Sequence, residues 1–361
     1  MISEKNFSKD WIYNICNLLK KGKNIADPEL TEKVINALYL LQCIKKVGLK
    51  FIFKGGTALL LLLNKVHRFS IDIDIIVEKD IDDSLLRKMF NDLISNSNIF
   101  YEFKGLNRVS VNKIRKAHFK FYYKSVLDGR SKYILLDIVF ESNPYIELIE
   151  KDIACDLIHI EGETTKILMP SVDCILGDKL TAFAPNTTGI PYGINKESEI
   201  IKQLFDISIL FNEVKNLKAV RDTFINVSKN ELNYRGLALI NIGEIFDDII
   251  NTSILIAFRG GIKNDEYKEL LEGIKRIKSY IFSKNFILEE AVLSSAKAAY
   301  LAILLKNKIY NIEFFNDKKD AMDLDINDVR FKKNFGSIKK FSLEAYYYWY
   351  KFLEIYNREN I

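Results

Sequence analysis

The chain has 361 residues, of which 48 % are hydrophobic and 28 % are charged. This length and balance predict two folded domains, or one domain with a large appendage, and exclude a single small module or a chain that is disordered throughout. The formal net charge is +5, a mild excess that permits a polyanionic partner without requiring one.

The cysteines and the hydropathy pattern point to a reducing compartment. The four cysteines lie far apart without a CxxC pair, which predicts neither a zinc site nor a disulfide framework. The longest aliphatic run, 58–63, is far shorter than the roughly 20 residues of a membrane span, and the charged start is not typical of a signal peptide. We therefore expect a cytoplasmic protein with no membrane partner. The three histidines, His67, His118 and His159, are scattered, and we expect them to be surface or packing residues.

The first elements form a helix, a glycine turn and a strand in close succession. Apolar residues at spacings of three and four predict an amphipathic helix over 27–47, opened by Asp27 and a proline. A short bridge at 51–54 then leads into a Gly-Gly-Thr turn and a short helix. From 70 to 77 polar and apolar residues alternate, which predicts a strand that is half buried on its isoleucine face.

The remaining pattern divides the chain near 165–172. A helix is predicted over 82–94, followed by strand-like runs at 101–103, 108–111, 117–126 and 133–140, the last two joined as a hairpin or meander. Further helices are predicted over 172–183, 197–211, 217–227, 266–282, 288–305 and 342–356. We expect an α/β region over 1–168 and a mainly helical region over 169–361.

Two carboxylates on the predicted strand are candidates for metal binding. Asp72 and Asp74 are two residues apart, so both leave the same face with Cα atoms roughly 6.6 Å apart. Such a pair could share divalent cations, which prefer carboxylate and phosphate oxygens and stabilise in-line phosphoryl displacement. For an isolated pair of this kind, the alternative is a solvated strand face.

The neighbours of this pair favour chemistry with phosphate. Gly55 and Gly56 permit close backbone approach, and Thr57 together with a helix N-terminus offers hydrogen-bond donors to a phosphate. Asp137, inside an apolar predicted strand, could supply a third carboxylate. Taken singly, the turn could be an ordinary glycine turn, and the acid could be paired with a lysine.

The combination resembles a known family. The strings Lys54-Gly55-Gly56-Thr57-Ala58-Leu59 and Arg68-Phe69-Ser70-Ile71-Asp72-Ile73-Asp74, followed by the strand acid Asp137 and by Lys179 and Asp206 on predicted helices, are similar to the AbiEii/AbiGii nucleotidyltransferase-like toxins of type IV toxin–antitoxin and phage-abortive systems. The resemblance covers roughly residues 30–210. It implies an α+β fold: a polymerase-β-like minimal nucleotidyltransferase core with a C-terminal helical domain. It also implies transfer of a nucleotide from an NTP, in some members to the acceptor end of tRNA.

The resemblance also assigns roles to individual residues. Gly55, Gly56 and Thr57 would hold the triphosphate, Asp72 and Asp74 would bind Mg²⁺ with Asp137 as a third carboxylate, Lys179 would neutralise phosphate charge, and Asp206 would be a late acid and a candidate base for the incoming hydroxyl. The run from Lys202 to Asp206 departs from the family pattern because it lacks the first acid of the last motif. A cognate antitoxin is the implied protein partner.

The basic excess is concentrated before Asp137. Seven basic residues and no acidic one lie within 104–124, interleaved with aromatic residues. This pattern favours a face that holds an RNA backbone, and the alternative is that the aromatic residues are core and the lysines merely solvated. Two other functions stay open from the sequence. One is transfer to a small molecule or a protein, and the other is a non-catalytic nucleotide-binding partner protein.

Overall fold

The computed structural model describes residues 1–19, 26–78, 81–106, 115–260 and 264–359. The chain divides into two compact units, 1–171 with 279–285 and 172–278 with 286–361. Within the described residues no helix is both long enough and apolar enough to cross a membrane.

The first unit is built on a mixed sheet of seven strands. The strands are β1 (Ile52–Lys54), β2 (Ile73–Val77), β3 (Phe100–Leu106), β4 (Lys116–Lys124), β5 (Ser131–Phe140), β6 (Leu148–Asp152) and β7 (Lys166–Pro170). Their spatial order is β3-β4-β5-β2-β1-β7-β6, with β2 parallel to β5 and β1 parallel to β7. The expected hairpin is confirmed, since β4 and β5 pair antiparallel.

Among the described residues, the helices that accompany this sheet are α1 (Lys9–Leu18), α2 (Pro28–Lys46), α3 (Gly55–Leu62) and α4 (Asp83–Ser95). The predicted start of α2 is confirmed, because the Asp27 carboxylate accepts hydrogen bonds from the backbone N–H groups of Glu29 and Leu30 at 2.7 and 3.0 Å. α4 packs on the sheet through Phe90, whose ring meets those of Phe119 and Phe121 edge to face.

The order of β1, α3 and β2 brings the glycine turn beside the carboxylate strand. β1 ends at Lys54 and the chain enters α3 directly at Gly55. Because β2 runs antiparallel to β1, its first residues lie beside the end of β1, and Lys54 is the register partner of Asp74. The strand predicted from residue 70 begins only at Ile73, so Asp72 lies just before it.

A short segment from late in the chain also belongs to the first unit. The helix expected over 266–282 ends at Arg276, followed by one 3₁₀ turn over Ile277–Ser279. The next residues are extended because the backbone N–H of Phe69 donates to the Tyr280 carbonyl at 2.9 Å, and Ile281 pairs with Arg68. Tertiary pairing with the segment that leads to the two aspartates therefore overrides the helical pattern.

The second unit is helical. Its helices are α5 (Val172–Ala182), α6 (Glu197–Leu210), α7 (Leu217–Arg235), α8 (Ile242–Ala257), α9 (Asn264–Arg276), α10 (Leu288–Lys306), α11 (Lys319–Met322), α12 (Lys332–Ile338) and α13 (Leu343–Glu359). α8 was not predicted, although its capping box between Asn241 and Glu244 is a readable helix start. α10 is buried along nearly its whole length. All of its alanines are buried, and their small side chains allow neighbouring helices to pack closely.

Candidate active site

Four polar side chains form a row across four adjacent strands. Lys54 on β1 is the register partner of Asp74 on β2. Asp74 is in turn the register partner of Asp137 on β5, and Asp137 is the register partner of His118 on β4. Register partners leave the same face of a sheet, and neighbouring strands are about 4.8 Å apart. The fold thus brings the second residue of the Asp-x-Asp motif next to the strand acid, as the sequence pattern suggested.

Residue 55 has to be glycine because of both its backbone conformation and its surroundings. Its φ is +81°, in the left-handed region that favours glycine. A Cβ atom at this position would overlap the Asp74 carboxylate. The chain therefore turns into α3 with its backbone directly against the carboxylate of Asp74. The N–H groups in the first turn of α3, which have no partner within the helix, begin beside this carboxylate.

Thr57 ties the helix to the carboxylate segment. Its side chain is fully buried, and its hydroxyl donates to the backbone carbonyl of Asp72 at 2.6 Å. Asp72 itself is exposed to solvent. In this arrangement the hydroxyl of Thr57 positions the Asp72 backbone, so the contribution of Thr57 to phosphate binding would come from its backbone N–H.

Arg68 and Ser70 flank Gly56 and were not singled out by the sequence pattern. A Cβ atom on Gly56 would lie 2.7 Å from Ser70 Oγ and 2.8 Å from Arg68 Nη2. Arg68 is 7 % exposed, and its Nη1 donates to the Phe69 carbonyl at 2.9 Å. A largely buried guanidinium beside a helix N-terminus is a favourable place for phosphate oxygens. The signal was present in the Arg-Phe-Ser string before Asp72.

His118 is a third residue to which the sequence pattern assigned no function. Its Nδ1 lies 2.5 Å from Asp137 Oδ1, and the two side chains are 12 % and 26 % exposed. A carboxylate accepts hydrogen bonds, so this contact places the ring proton on Nδ1. The alternation of β4 could have indicated it, because His118 shares a face with Lys120 and Tyr122 while Phe119 and Phe121 face the core.

Lys179 and Asp206 are paired with each other in the second unit. Lys179 on α5 and Asp206 on α6 form an ion pair of 3.0 Å, with side chains 8 % and 1 % exposed. Lys179 Nζ also donates to Gln203 Oε1 at 3.0 Å. A buried ion pair is costly unless its hydrogen bonds are satisfied, so these residues are not the surface charges that each would be taken for alone.

The sequence profile of the nucleotidyl transferase AbiEii toxin of type IV toxin–antitoxin systems matches residues 39–279. The match spans the glycine turn, both aspartates, Asp137, Lys179 and Asp206, and covers most of the chain. The chain belongs to the AbiEii family. The suspected resemblance is therefore confirmed, and membership assigns the chain to the nucleotidyltransferase toxins, whose systems include a cognate antitoxin.

Two solved structures show distant likenesses to this AbiEii member. The crystal structure of JHP933 from Helicobacter pylori is 16 % identical, with 77 % of this chain and 94 % of that chain covered at a TM-score of 0.42. An antigenic nucleotidyltransferase-like protein from Paracoccidioides brasiliensis is 15 % identical, covering 60 % of this chain and 97 % of that chain at a TM-score of 0.34. Both are too distant to support a statement about this chain. No curated protein matches the sequence.

The acidic side chains of the AbiEii chain fit a cation that arrives with a nucleotide. Among the described residues, no group of three or more histidine, cysteine, aspartate or glutamate side chains is arranged to hold a metal ion unaided. Mg²⁺, however, is usually held by one or two carboxylates together with substrate phosphates and water. Asp72 and Asp74, beside the start of α3, supply carboxylates of that kind, and Asp137 has one oxygen engaged by His118 and one outside that contact.

The basic stretch divides between the two faces of the sheet. Arg108 and Lys113 lie outside the described residues. Phe119, Phe121 and Tyr123 are buried in the core, as the alternative interpretation expected. On the other face, Lys104 Nζ lies 5.1 Å from the centre of the Tyr122 ring, and Lys120 Nζ lies 4.1 Å from that of Tyr133. Tyr133 is 44 % exposed. This outer face is the one that carries His118 and Asp137.

Proposed function

We propose that this AbiEii-family chain is a Mg²⁺-dependent nucleotidyltransferase toxin that moves a nucleotide from an NTP to an acceptor hydroxyl, with tRNA as the acceptor. The observation that carries the proposal is the contact between Gly55 and Asp74. It brings the N–H groups at the start of α3, which suit phosphate, beside a carboxylate that suits the accompanying cation. The polymerase-β-like organisation of the core belongs to the same proposal.

In this scheme the residues have separate tasks. The backbone of Gly55, Gly56 and Thr57 holds the triphosphate, with Arg68 beside it as an additional positive charge. Asp72 and Asp74 would hold Mg²⁺, which would neutralise triphosphate charge. The acceptor hydroxyl attacks the α-phosphorus in line, forming a new P–O bond as the bond to pyrophosphate breaks.

Lys179 and Asp206 complete the proposed machinery. Lys179 contributes positive charge toward the phosphates, and Asp206 is the candidate acceptor of the proton that the attacking hydroxyl loses. Their ion pair supports the assignment of the two residues to one function, because it holds the two buried side chains together. Breaking such a buried pair would also destabilise the fold, so the test must separate a catalytic role from a structural one.

An RNA acceptor is supported by the outer face of the sheet. Lys104, Lys120, Tyr122 and Tyr133 combine cationic and aromatic surface, which suits the backbone and bases of a single-stranded end. The same face leads along β4 and β5 to Asp137, the register neighbour of Asp74. The acceptor hydroxyl of a strand that follows this face would therefore reach the carboxylates.

The test is incubation of the protein with each labelled NTP, Mg²⁺ and total tRNA. We expect the wild type to label RNA, Asp74→Asn to lose at least 100-fold in rate, and Asp92→Asn, an exposed acid on α4, to match the wild type. Label on a protein or a small molecule instead of RNA would show that the acceptor is not tRNA, and the nucleotidyltransferase activity would still be supported. Tight NTP binding with no labelled product would favour the non-catalytic alternative and refute the proposal.

A further inference from the structure

The hydrogen bond between His118 and Asp137 lies in the row of polar side chains across β1, β2, β5 and β4, and the proposed function gives it no role. Asp137 stands beside Asp74 in the parallel pairing of β2 and β5, and His118 stands beside Asp137 in the antiparallel pairing of β4 and β5. The Nδ1 to Oδ1 distance is 2.5 Å, within hydrogen-bonding reach. Both groups are largely shielded from solvent.

A free aspartate at the Asp137 position would be poorly suited to bind a cation. Its carboxylate could rotate about χ2, and two carboxylates on adjacent strands repel each other. Within the described residues, the Asp137 side chain has His118 as its hydrogen-bond partner, and that bond engages Oδ1 alone. The second oxygen remains for another ligand, with the plane of the carboxylate fixed by the imidazole.

We infer that His118 is a positioning residue: by donating Nδ1–H to Asp137 Oδ1, it orients the other Asp137 oxygen toward a divalent cation that the nucleotide brings to Asp74, the register neighbour of Asp137. This inference rests on the proposed function and extends it to a residue outside the family motifs. Carboxylates that ligate metals are commonly held by such partners, and loss of the partner costs about 10- to 100-fold in metal affinity or activity.

The hydrogen-bond geometry provides a sharp set of variants. Asn carries its N–H₂ on the same branch of the side chain as Nδ1, so His118→Asn retains a donor to Asp137. Gln places its donor one carbon farther out, near the position of Nε2, and Phe retains the ring without any donor. A matched control is His159→Phe, since His159 also faces a carboxylate, Glu161, at 3.5 Å in the loop between β6 and β7.

The first measurement is the affinity of the full-length protein for Mn²⁺, read by electron paramagnetic resonance with and without a non-hydrolysable NTP analogue. We expect His118→Phe and His118→Gln to weaken Mn²⁺ binding about 10- to 100-fold. His118→Asn should stay within threefold of the wild type, and His159→Phe should be unchanged. In transfer assays the same variants should lose kcat while the KM for the acceptor is retained.

A double variant tests whether His118 acts through Asp137. We expect His118→Phe combined with Asp137→Asn to bind Mn²⁺ no more weakly than Asp137→Asn alone, because the two changes remove one function. Equal Mn²⁺ affinity in His118→Phe and wild type would overturn the inference. So would equal losses in His118→Phe and His118→Asn, since the role would then be packing. A wild type that binds Mn²⁺ with this pattern but transfers no nucleotide would refute the proposed function and support the inference.

Discussion

Replacing Gly55 by alanine isolates the contact on which the proposed site depends. Gly55 has φ of +81°, and a Cβ atom there would overlap the Asp74 carboxylate. Gly48 offers a matched control in the same unit, because its φ is +85° and a Cβ atom there would meet nothing within 4 Å. Both substitutions impose the strain of a left-handed alanine, about 1–2 kcal/mol. Only Gly55→Ala must also displace Asp74.

We expect the two variants to differ in activity far more than in stability. The shared backbone strain should lower the melting temperature by about 2–8 °C in each variant. Gly55→Ala should additionally lose at least 100-fold in nucleotide transfer, because a displacement of about 1 Å at a reacting centre can cost that much. Gly48→Ala should transfer nucleotides at close to the wild-type rate.

The assay combines thermal unfolding with initial rates of NTP consumption at several Mg²⁺ concentrations. If a shifted Asp74 is the cause, added Mg²⁺ should restore part of the rate of Gly55→Ala. Transfer at the wild-type rate in both variants would refute the assignment of the glycine turn and Asp74 to one site. Equal loss of activity in both would show that strain in the unit, rather than the contact, is responsible.

Three further outcomes are expected. Thr57→Val removes the hydrogen bond to the Asp72 carbonyl, so it should lower the free energy of unfolding by about 1–2 kcal/mol and raise the KM for NTP. Thr57→Ser should keep the wild-type stability and KM. Denaturant titration and steady-state kinetics measure the two quantities. Asp206→Leu should destabilise the protein by about 3–5 kcal/mol, because it leaves the Lys179 ammonium buried without its partner. The double variant Lys179→Met, Asp206→Leu should recover most of that stability but should not transfer nucleotides. An active double variant would show that the pair is only structural. Burial raises the pKa of the Cys43 thiol to about 11. Because unfolded thiols ionise near pH 8.5, the Cys43 thiol should lower stability as pH rises from about 8.5 to 11, by at most about 1.4 kcal/mol per pH unit. Cys43→Ala should remove this contribution and leave that of Cys155, whose pKa burial also raises to about 11.

Short-range patterns predicted most of the local structure. The start of α2 at Asp27, the hairpin of β4 and β5 and most helices after residue 170 follow from capping, turn and periodicity signals that act within a few residues. One of the exceptions, at 277–282, has a physical cause. A strand-like pairing with residues 67–69 outweighs the local preference for helix, and that partner lies more than 200 residues away in the chain.

The sequence by itself determined which residues could take part in chemistry: the Gly-Gly-Thr turn, Asp72, Asp74, Asp137 and their family. Only the tertiary structure decided their neighbours. Register between β4, β5 and β2 places His118 and Asp137 beside Asp74, and the fold directs the Thr57 hydroxyl to a backbone carbonyl. Register depends on pairing between strands far apart in the chain, which no local pattern encodes. For the same reason, His118, which was expected to be a surface or packing residue, lies beside Asp137 in the row of register partners.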